Sequence, residues 1–139
     1  MGTVGELLLE LVDRVSHRGG DTLALMAEAG ITLPQLLFLV RLRQTGGSTA
    51  SELGERLNMS PPAISQMVAR LFRLGLLTQA ADGEDRRRKR LATTPRANIL
   101  IDRISRARAA EFGRGTANLS PAVRKELATA LQKAVRELG

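Results

Sequence analysis

The sequence lacks cysteine, tryptophan and tyrosine, and its aromatic residues are three phenylalanines in a chain of 139 residues. Without cysteine, the chain forms no disulfide bond, no thiolate nucleophile and no cysteine-ligated metal site. The scarcity of aromatic residues also disfavours single-strand RNA binding, in which bases stack on aromatic side chains. The core must therefore be built from aliphatic side chains, which suits the packing of helices against one another.

Histidine is nearly absent as well, since His17 is the single histidine of the chain. Its sequence neighbours Asp13 and Asp21 make a weak ligand set, so a solvated histidine near a helix end is favoured over a metal ligand or a sensor. The sequence also has no nucleophile–base pair and no Walker or Rossmann glycine pattern. We therefore predict a protein that is not an enzyme, with no catalytic residue, no metal and no cofactor.

Long hydrophobic runs are missing too, because no stretch approaches the roughly 20 apolar residues that span a bilayer. The N-terminus has no basic segment followed by a continuous apolar stretch, so we expect no signal peptide. The densest group of basic residues does not lie on an amphipathic helix with aromatic anchors, which disfavours a membrane-surface role. The length predicts a single domain over residues 1–139, and we expect it in the cytoplasm, associated with the nucleoid.

Positive charge is what the chain has in excess, with a formal net charge of +7. A basic balance favours a polyanionic partner such as nucleic acid, although charge alone also fits a merely basic soluble protein. Position separates the two interpretations, because the segment EDRRRKRLA at residues 84–92 is charged at every position but its last two. Such a concentration of cations at one place favours nucleic acid as the partner.

Two short helices joined by a tight turn are predicted at the centre of the chain. Thr49 and Glu52 have the spacing of a capping box, which starts a short helix that Asn58 ends. Ser60 caps the next helix, and Pro61 fits its first position. The inward stripe of this second helix consists of Ile64, Met67, Val68, Leu71 and Leu74. The pair predicts a helix-turn-helix.

A β-hairpin is predicted directly after the helix-turn-helix. Residues 76–80 are apolar and compatible with a strand, residues 81–84 form a turn, and residues 89–94 return as a second strand with Leu91 inward. The basic run therefore surrounds the tip of the hairpin. A helix-turn-helix followed at once by a basic hairpin predicts a winged helix-turn-helix lobe over residues 32–94.

The helical patterns outside this lobe carry apolar stripes that have few partners in so small a domain. They cover residues 1–30 and 95–139, which we assign to a helical dimerisation region. A long apolar stripe is typical of an interface between protomers, while packing on the core of the same chain is the alternative. The predicted dimer residues are Leu7, Leu8, Leu11, Val123, Leu127, Leu131 and Val135. The predicted fold class is mainly α with a small β-hairpin wing, the winged helix-turn-helix being flanked by N- and C-terminal dimerisation helices.

The stretches SELGERLNMSPPAISQMVARLFRLGLLTQ and DGEDRRRKRLATT resemble the MarR (multiple antibiotic resistance regulator) family of bacterial transcriptional regulators. The wing pattern of that family is D-x-R-x-x-x-L-x-L-T. Thr93 stands where the family prefers leucine, and Ala97 where a glycine is often found, which is typical of a divergent branch. The residues that match the pattern are Asp85, Arg87, Leu91 and Thr94.

The resemblance implies a homodimer that presents two winged helix-turn-helix units to a near-palindromic operator in double-stranded DNA. A repressor is the regulator that we expect. The resemblance also implies a small effector, often an acidic aromatic compound, bound between the dimer helices and the DNA-binding lobes. A regulator without a small-molecule ligand remains an alternative, because the chain has few side chains that could stack on an aromatic acid. A basic winged-helix module for protein or RNA contact is the second alternative.

On this interpretation, the helix that begins after Ser60 is the recognition helix in the major groove. Gln66 can pair with adenine, Ser65 can reach a base or a phosphate, and small apolar residues can contact a thymine methyl group. Cations one to two turns further along meet phosphate groups. The predicted contacts of this helix are Ser60, Pro62, Ala63, Ser65, Gln66, Arg70 and Arg73.

On the wing, Arg87 matches the arginine of the family pattern and is predicted to enter the minor groove, where negative potential is concentrated. Arg86 and Arg88 would contact the backbone, and Asp85 would be structural, because a carboxylate facing phosphate is repelled. Residues at the start of the first helix of the pair could add phosphate bonds through backbone N–H groups. These residues are Ser48, Thr49 and Ser51.

Overall fold

The computed structural model describes the backbone of residues 2–16, 20–82 and 85–139, together with the side chains of these residues except 82 and 85–87. The prediction for His17 lies outside the described residues. The described part of the chain forms seven helices and three strands. In chain order they are α1 (Val4–Val15), α2 (Thr22–Ala29), α3 (Leu33–Thr45), β1 (Ser48–Thr49), α4 (Ala50–Leu57), α5 (Pro61–Arg73), β2 (Leu77–Asp82), β3 (Asp85–Thr93), α6 (Pro95–Gly115) and α7 (Pro121–Leu138). The predicted fold class is confirmed.

Two compact units make up the structure. Residues 22–106 form the winged helix-turn-helix unit, and residues 1–21 and 107–139 form the terminal-helix unit. Segments 22–30 and 95–106, which the sequence assigned to the dimerisation region, lie in the first of these units. The reason is packing, because Ala97, Ile101 and Ile104 of α6 are buried in its core.

Helix starts in both units are fixed by local side-chain caps. Capping boxes, in which the cap hydroxyl and the third helical residue each accept a backbone N–H, begin α1 at Thr3, α3 at Thr32 and α4 at Thr49. The cap at Thr49 follows the spacing seen in the sequence. The turn from α4 to α5 passes through Asn58, whose φ of 52° is left-handed.

An aliphatic core holds the winged helix-turn-helix unit together. Phe38, Leu39 and Leu42 of α3 are at most 1% exposed, and they lie in one cluster with Leu53 of α4 and Leu71 of α5. Leu37 of the same helix is 53% exposed. Helix α3 has apolar residues on several faces, so its pattern could not select the face that is buried.

The wing is part of a three-stranded antiparallel sheet with strand order β1–β3–β2. Ser48 of β1 pairs with Leu91, and Gln79 of β2 pairs with Leu91 from the other side. Leu91 is buried, as predicted. Strand β1 was not predicted, and β3 begins at Asp85 rather than at Lys89. Most of the basic run therefore lies along a strand and not in a turn. Its pairing with β2 includes Lys89 and Arg90 and, after a change of register, Asp85.

The terminal-helix unit buries little of its apolar surface. Val15 is the buried residue of α1, and no residue of α7 is buried. Gly115 allows the end of α6 to approach α1, since a Cβ at this position would lie 2.6 Å from the Val15 Cα atom. The predicted dimer residues Leu7, Leu8, Val123, Leu131 and Val135 are between 42% and 68% exposed, whereas Leu11 and Leu127 are half-buried.

No single helix within the described ranges is long and apolar enough to cross a membrane. Helices α2 and α3, bent by 87° relative to each other, meet the criterion of length and composition as a pair. Core helices of globular proteins meet the same criterion, and the apolar residues Leu36, Phe38, Leu39 and Leu42 of α3 are buried in the core.

Candidate nucleic-acid interface

Helix α5 presents a polar and weakly apolar face to solvent. It begins where the Ser60 Oγ accepts a hydrogen bond of 3.3 Å from the Ala63 N–H. Burial of Ile64, Val68 and Leu71 fixes the rotation of the helix about its axis. The side chains left exposed are Pro61, Pro62, Ser65, Gln66, Ala69, Arg70, Phe72 and Arg73, while Ala63 is half-buried. The predicted contact residues of this helix are therefore exposed, with the exception of Ala63.

The C-terminal half of α5 differs from its first half in what its exposed residues contact. The Arg70 Nη2 atom lies 3.5 Å from the Gly30 carbonyl oxygen, so this guanidinium is directed toward the α2–α3 turn. Arg73 is exposed. Phe72 is 54% exposed, which the apolar pattern did not predict. The sequence contained a signal for this exposure, because Phe72 does not belong to the inward stripe of α5.

The start of α4 corrects part of the predicted interface. Ser48 and Thr49 are only 1% and 3% exposed, because β1 pairs with β3 over them. The Ser48 hydroxyl donates to the Glu52 Oε2 atom at 2.9 Å, and the Thr49 Oγ1 accepts the Glu52 N–H at 3.3 Å. The predicted phosphate bonds were to come from backbone N–H groups, but the Thr49 N–H donates to the Glu52 Oε2 atom at 3.4 Å and both residues are buried. Ser48 and Thr49 therefore position α4, and we leave them out of the proposed interface. Ser51 is exposed.

Glu52 is the residue of this region that the sequence treated only as a cap. Its carboxylate accepts hydrogen bonds from the Ser48 hydroxyl and the Thr49 N–H. These two bonds, followed by the charges of Arg88 and Arg90, lower the pKa of Glu52 below its ordinary value of 4.5. Glu52 is therefore a stable anion among the cations of the wing.

The described cations of β3 lie against the start of α4. The Arg88 Nη2 atom is 3.5 Å from the Thr49 Oγ1 atom and 3.8 Å from the Glu52 Oε1 atom. The Arg90 Nη2 atom donates to the Gly47 carbonyl oxygen at 3.0 Å. Lys89 is exposed. Arginine side chains of the wing thus contact neighbouring backbone and side-chain groups of the same unit.

Asp85, Arg86 and Arg87 belong to β3 by their backbone, but the roles predicted for their side chains lie outside the described residues. The pairing of β2 with β3 changes register between Ala81 and Asp82. A strict alternation of side-chain faces therefore does not extend from Leu91 to these residues.

A cavity of about 310 Å³ connects α5 with the wing. Ser65 lines it from α5, Arg88 and Lys89 line it from β3, and Ser51 lines it from α4. The exposed serine of α5 and two wing cations thus border one depression. The helix and the wing form a single surface whose hydrogen-bonding groups lie beside positive charge.

A second cavity, of about 230 Å³, lies away from this surface, and α2, the α5–β2 turn and α6 surround it. Its apolar walls include Leu25, Leu76 and Leu100, and its charged walls include Arg96 and Arg103. Across the described residues, no group of three or more histidine, cysteine or carboxylate side chains is placed to hold a metal ion.

The family model of the MarR family matches residues 29–88. The HTH-type transcriptional repressor MdtR of Bacillus subtilis is 30% identical over 94 residues, which make up 68% of this chain and 61% of that protein. The match thus spans less than two thirds of the length of that repressor. The transcriptional regulator Tm0710 of Thermotoga maritima has a TM-score of 0.77 at 22% identity, with 96% of this chain and 92% of that chain covered.

A mutant of MepR from S. aureus, solved bound to an oligodeoxyribonucleotide, has a TM-score of 0.67 at 20% identity. The match covers 100% of this chain and 100% of that chain. These likenesses to solved structures establish a shared fold. The family match falls on the helix-turn-helix and on the wing as far as Arg88, where the sequence carries its motif. Residues 29–88 match the MarR family, and the fold of the described residues is the winged helix-turn-helix of the similar solved structures.

Proposed function

We propose that the protein is a sequence-specific double-stranded DNA-binding transcriptional regulator, a repressor that acts as a homodimer on a near-palindromic operator. The observation that carries the proposal is the joint surface of α5 and β3. Ser65 and Gln66 are exposed hydrogen-bonding side chains near the start of α5, and Arg88 and Lys89 lie on the adjacent strand. The MarR-family match of residues 29–88 and the likeness to a repressor support the same function.

Sequence discrimination would come from the N-terminal half of α5 in the major groove. Gln66 can form a bidentate pair with adenine, and such pairs contribute about 1–3 kcal/mol of discrimination against the wrong base. Pro62 and the half-buried Ala63 are small enough for a close approach and for contact with a thymine methyl group. Ser60 is occupied as the helix cap, so its part is to fix the start of α5 beside the DNA.

Affinity would come mainly from cations that meet phosphate groups. Arg70 and Arg73 of α5 and Arg86 and Arg88 of the wing are proposed to meet phosphate, Arg88 only where it leaves its contact with Glu52. Arg87 is proposed to enter the minor groove, and Asp85 is a structural residue of the wing. With about four phosphate contacts per half-site, a dimer neutralises about eight phosphates, and log affinity falls with log salt concentration at a slope of about −7. A slope shallower than about −3 would contradict a DNA-facing wing.

The homodimer would form through the terminal-helix unit. Helix α7 buries no residue within its own chain, and α1 buries one. Leu131 and Val135 lie one turn apart on α7 and are 42% and 68% exposed. An apolar helix face of this length is typical of an interface between protomers. A twofold axis through it would present two recognition helices to two half-sites.

An effector, if the protein has one, would be a small acid held in the cavity of about 230 Å³ beside α6. Arg96 and Arg103 offer cationic partners for a carboxylate, and leucine side chains offer an apolar floor. Aromatic acids should then raise the melting temperature, and R103Q should reduce the shift. The absence of any shift across such a series favours the alternative of a regulator without a small-molecule ligand.

The test of DNA binding uses fluorescence anisotropy with duplex DNA from the region upstream of the protein's own gene. We expect saturable binding that a shuffled duplex of equal length competes only weakly. Q66A should lower affinity for the upstream duplex while leaving affinity for the shuffled duplex unchanged. Equal affinity for both duplexes would overturn sequence specificity, and the absence of binding to either would overturn the proposed function. In vitro transcription from the same promoter then tests repression.

A further inference from the structure

We propose that Glu52 restrains Arg88, so that the carboxylate competes with DNA phosphate for this wing cation and limits the affinity of the protein for its operator. The inference rests on the proposed DNA-binding function and names a regulating residue within the same surface. The sequence identified Glu52 only as the third residue of a capping box. The structure shows that this glutamate also faces the wing.

The geometry places one guanidinium between two acceptors at the start of α4. Arg88 Nη2 lies 3.5 Å from the Thr49 Oγ1 atom and 3.8 Å from the Glu52 Oε1 atom. Both charged side chains remain about half exposed, at 50% for Arg88 and 48% for Glu52. An arginine in this position is accessible to a phosphate, but it must exchange one anion for another.

The other carboxylate oxygen is occupied, which holds Glu52 in place. Its Oε2 atom accepts the Ser48 hydroxyl at 2.9 Å and the Thr49 N–H at 3.4 Å. Ser48 and Thr49 are buried, so the carboxylate is attached to a rigid part of the unit. The flexible partner is therefore the arginine. Glu52 acts as a fixed anion beside the path that Arg88 would take to DNA.

The charges determine how the exchange of Glu52 for a phosphate by Arg88 should change the affinity for DNA. An ion pair between half-exposed side chains contributes little to stability, so Arg88 can leave Glu52 without unfolding the unit. A phosphate contact, by comparison, releases a condensed counterion and gains affinity as salt falls. While Glu52 is charged, however, Arg88 brings no net charge to the complex, and the carboxylate repels nearby phosphates. Neutralising Glu52 should therefore tighten DNA binding rather than weaken it.

The experiment measures the affinity of the E52Q variant for the upstream duplex across a series of salt concentrations. Glutamine also serves at the third position of a capping box, so the start of α4 should be retained. If Arg88 gains one phosphate per protomer, the slope of log affinity against log salt steepens by about 1.8 for the dimer. The advantage of E52Q over the wild type then falls about 12-fold between about 50 mM and about 200 mM salt.

Two further variants distinguish loss of the Glu52–Arg88 contact from the general effect of removing a negative charge. E55Q removes the same charge from the same helix α4, at an exposed side chain that is not part of the Glu52–Arg88 contact. It should leave the slope within about 0.5 of the wild-type value, since no phosphate contact is added. R88Q combined with E52Q should remove the gain that E52Q shows alone. A melting temperature for each variant confirms that the unit folds.

The outcomes of these measurements distinguish the inference about Glu52 from the proposed DNA-binding function. A wild-type slope consistent with several phosphate contacts, a steeper slope for E52Q, and loss of that difference in the R88Q background support the inference. Wild-type binding with an E52Q slope that is unchanged, or an E52Q gain that persists with R88Q, overturns the inference and leaves the proposed function intact. A wild-type protein that binds no duplex overturns both.

Discussion

The replacement of Gly115 by alanine tests how the terminal-helix unit is packed. Gly115 is the last residue of α6, and a Cβ at this position would lie 2.6 Å from the Val15 Cα atom and 2.7 Å from the Val15 carbonyl oxygen. Carbon atoms in contact are ordinarily about 3.5–4.0 Å apart. The added methyl group therefore overlaps backbone atoms of α1, which cannot rotate away as a side chain can.

Two effects of opposite sign determine how much G115A changes the free energy of unfolding. Alanine is favoured over glycine inside a helix by about 1 kcal/mol, and less at a helix end. Overpacking of a close contact costs about 1–3 kcal/mol. We therefore expect G115A to lower the free energy of unfolding by up to about 2 kcal/mol. Gly113 is the matched control, because it lies in the same helix and a Cβ there meets nothing within 4 Å.

G113A should be as stable as the wild type or more stable, by up to about 1 kcal/mol. The assay is urea denaturation followed by helical circular dichroism, with all variants at one protomer concentration because association affects apparent stability. The expected order of midpoints is G113A, wild type, G115A. If G115A equals or exceeds G113A, the close approach of α6 and α1 does not exist in solution.

Three further predictions concern the cap, the buried network and the apolar face. S60A should lower the free energy of unfolding by about 1 kcal/mol through loss of the α5 cap, measured by urea denaturation, whereas S65A on the same helix should not. The lowered pKa of Glu52 means that its hydrogen bonds stabilise the fold fully above the ordinary pKa of 4.5 and are lost as pH falls through the lower folded-state value. Unfolding midpoints in acid should accordingly fall less steeply for E52Q than for the wild type. L131E should convert the proposed dimer to a monomer in light scattering, and an unchanged mass would exclude the α7 face from the interface.

Local signals predicted helix starts well. The boxes at Thr32 and Thr49 and the cap at Ser60 each depend on residues within three positions of one another, so the sequence contains all of the information needed. The left-handed Asn58 that ends α4 is equally local. The order of helix-turn-helix and wing followed from these boundaries, and the family motif added the same assignment independently.

Long-range pairing was not predictable in the same way. Strand β1 consists of two residues, which carry no periodicity, and it exists because Ser48 meets Leu91 across the sheet. That pairing buries Ser48 and Thr49, which is why two residues that the sequence favoured as phosphate contacts instead support α4. The contact between Glu52 and Arg88 depends on the same pairing, and no spacing rule relates residues so far apart in the chain.

The basic run also shows why charge counted along a sequence overstates the charge available to a ligand. Arg88 lies near the Glu52 carboxylate, and Arg90 donates to the Gly47 carbonyl oxygen. Each of these cations must release a partner within its own unit before it can bind a phosphate. The number of ions released on DNA binding should therefore be smaller than the number of arginines on the strand, and Glu52 would be one of the residues that determine the difference.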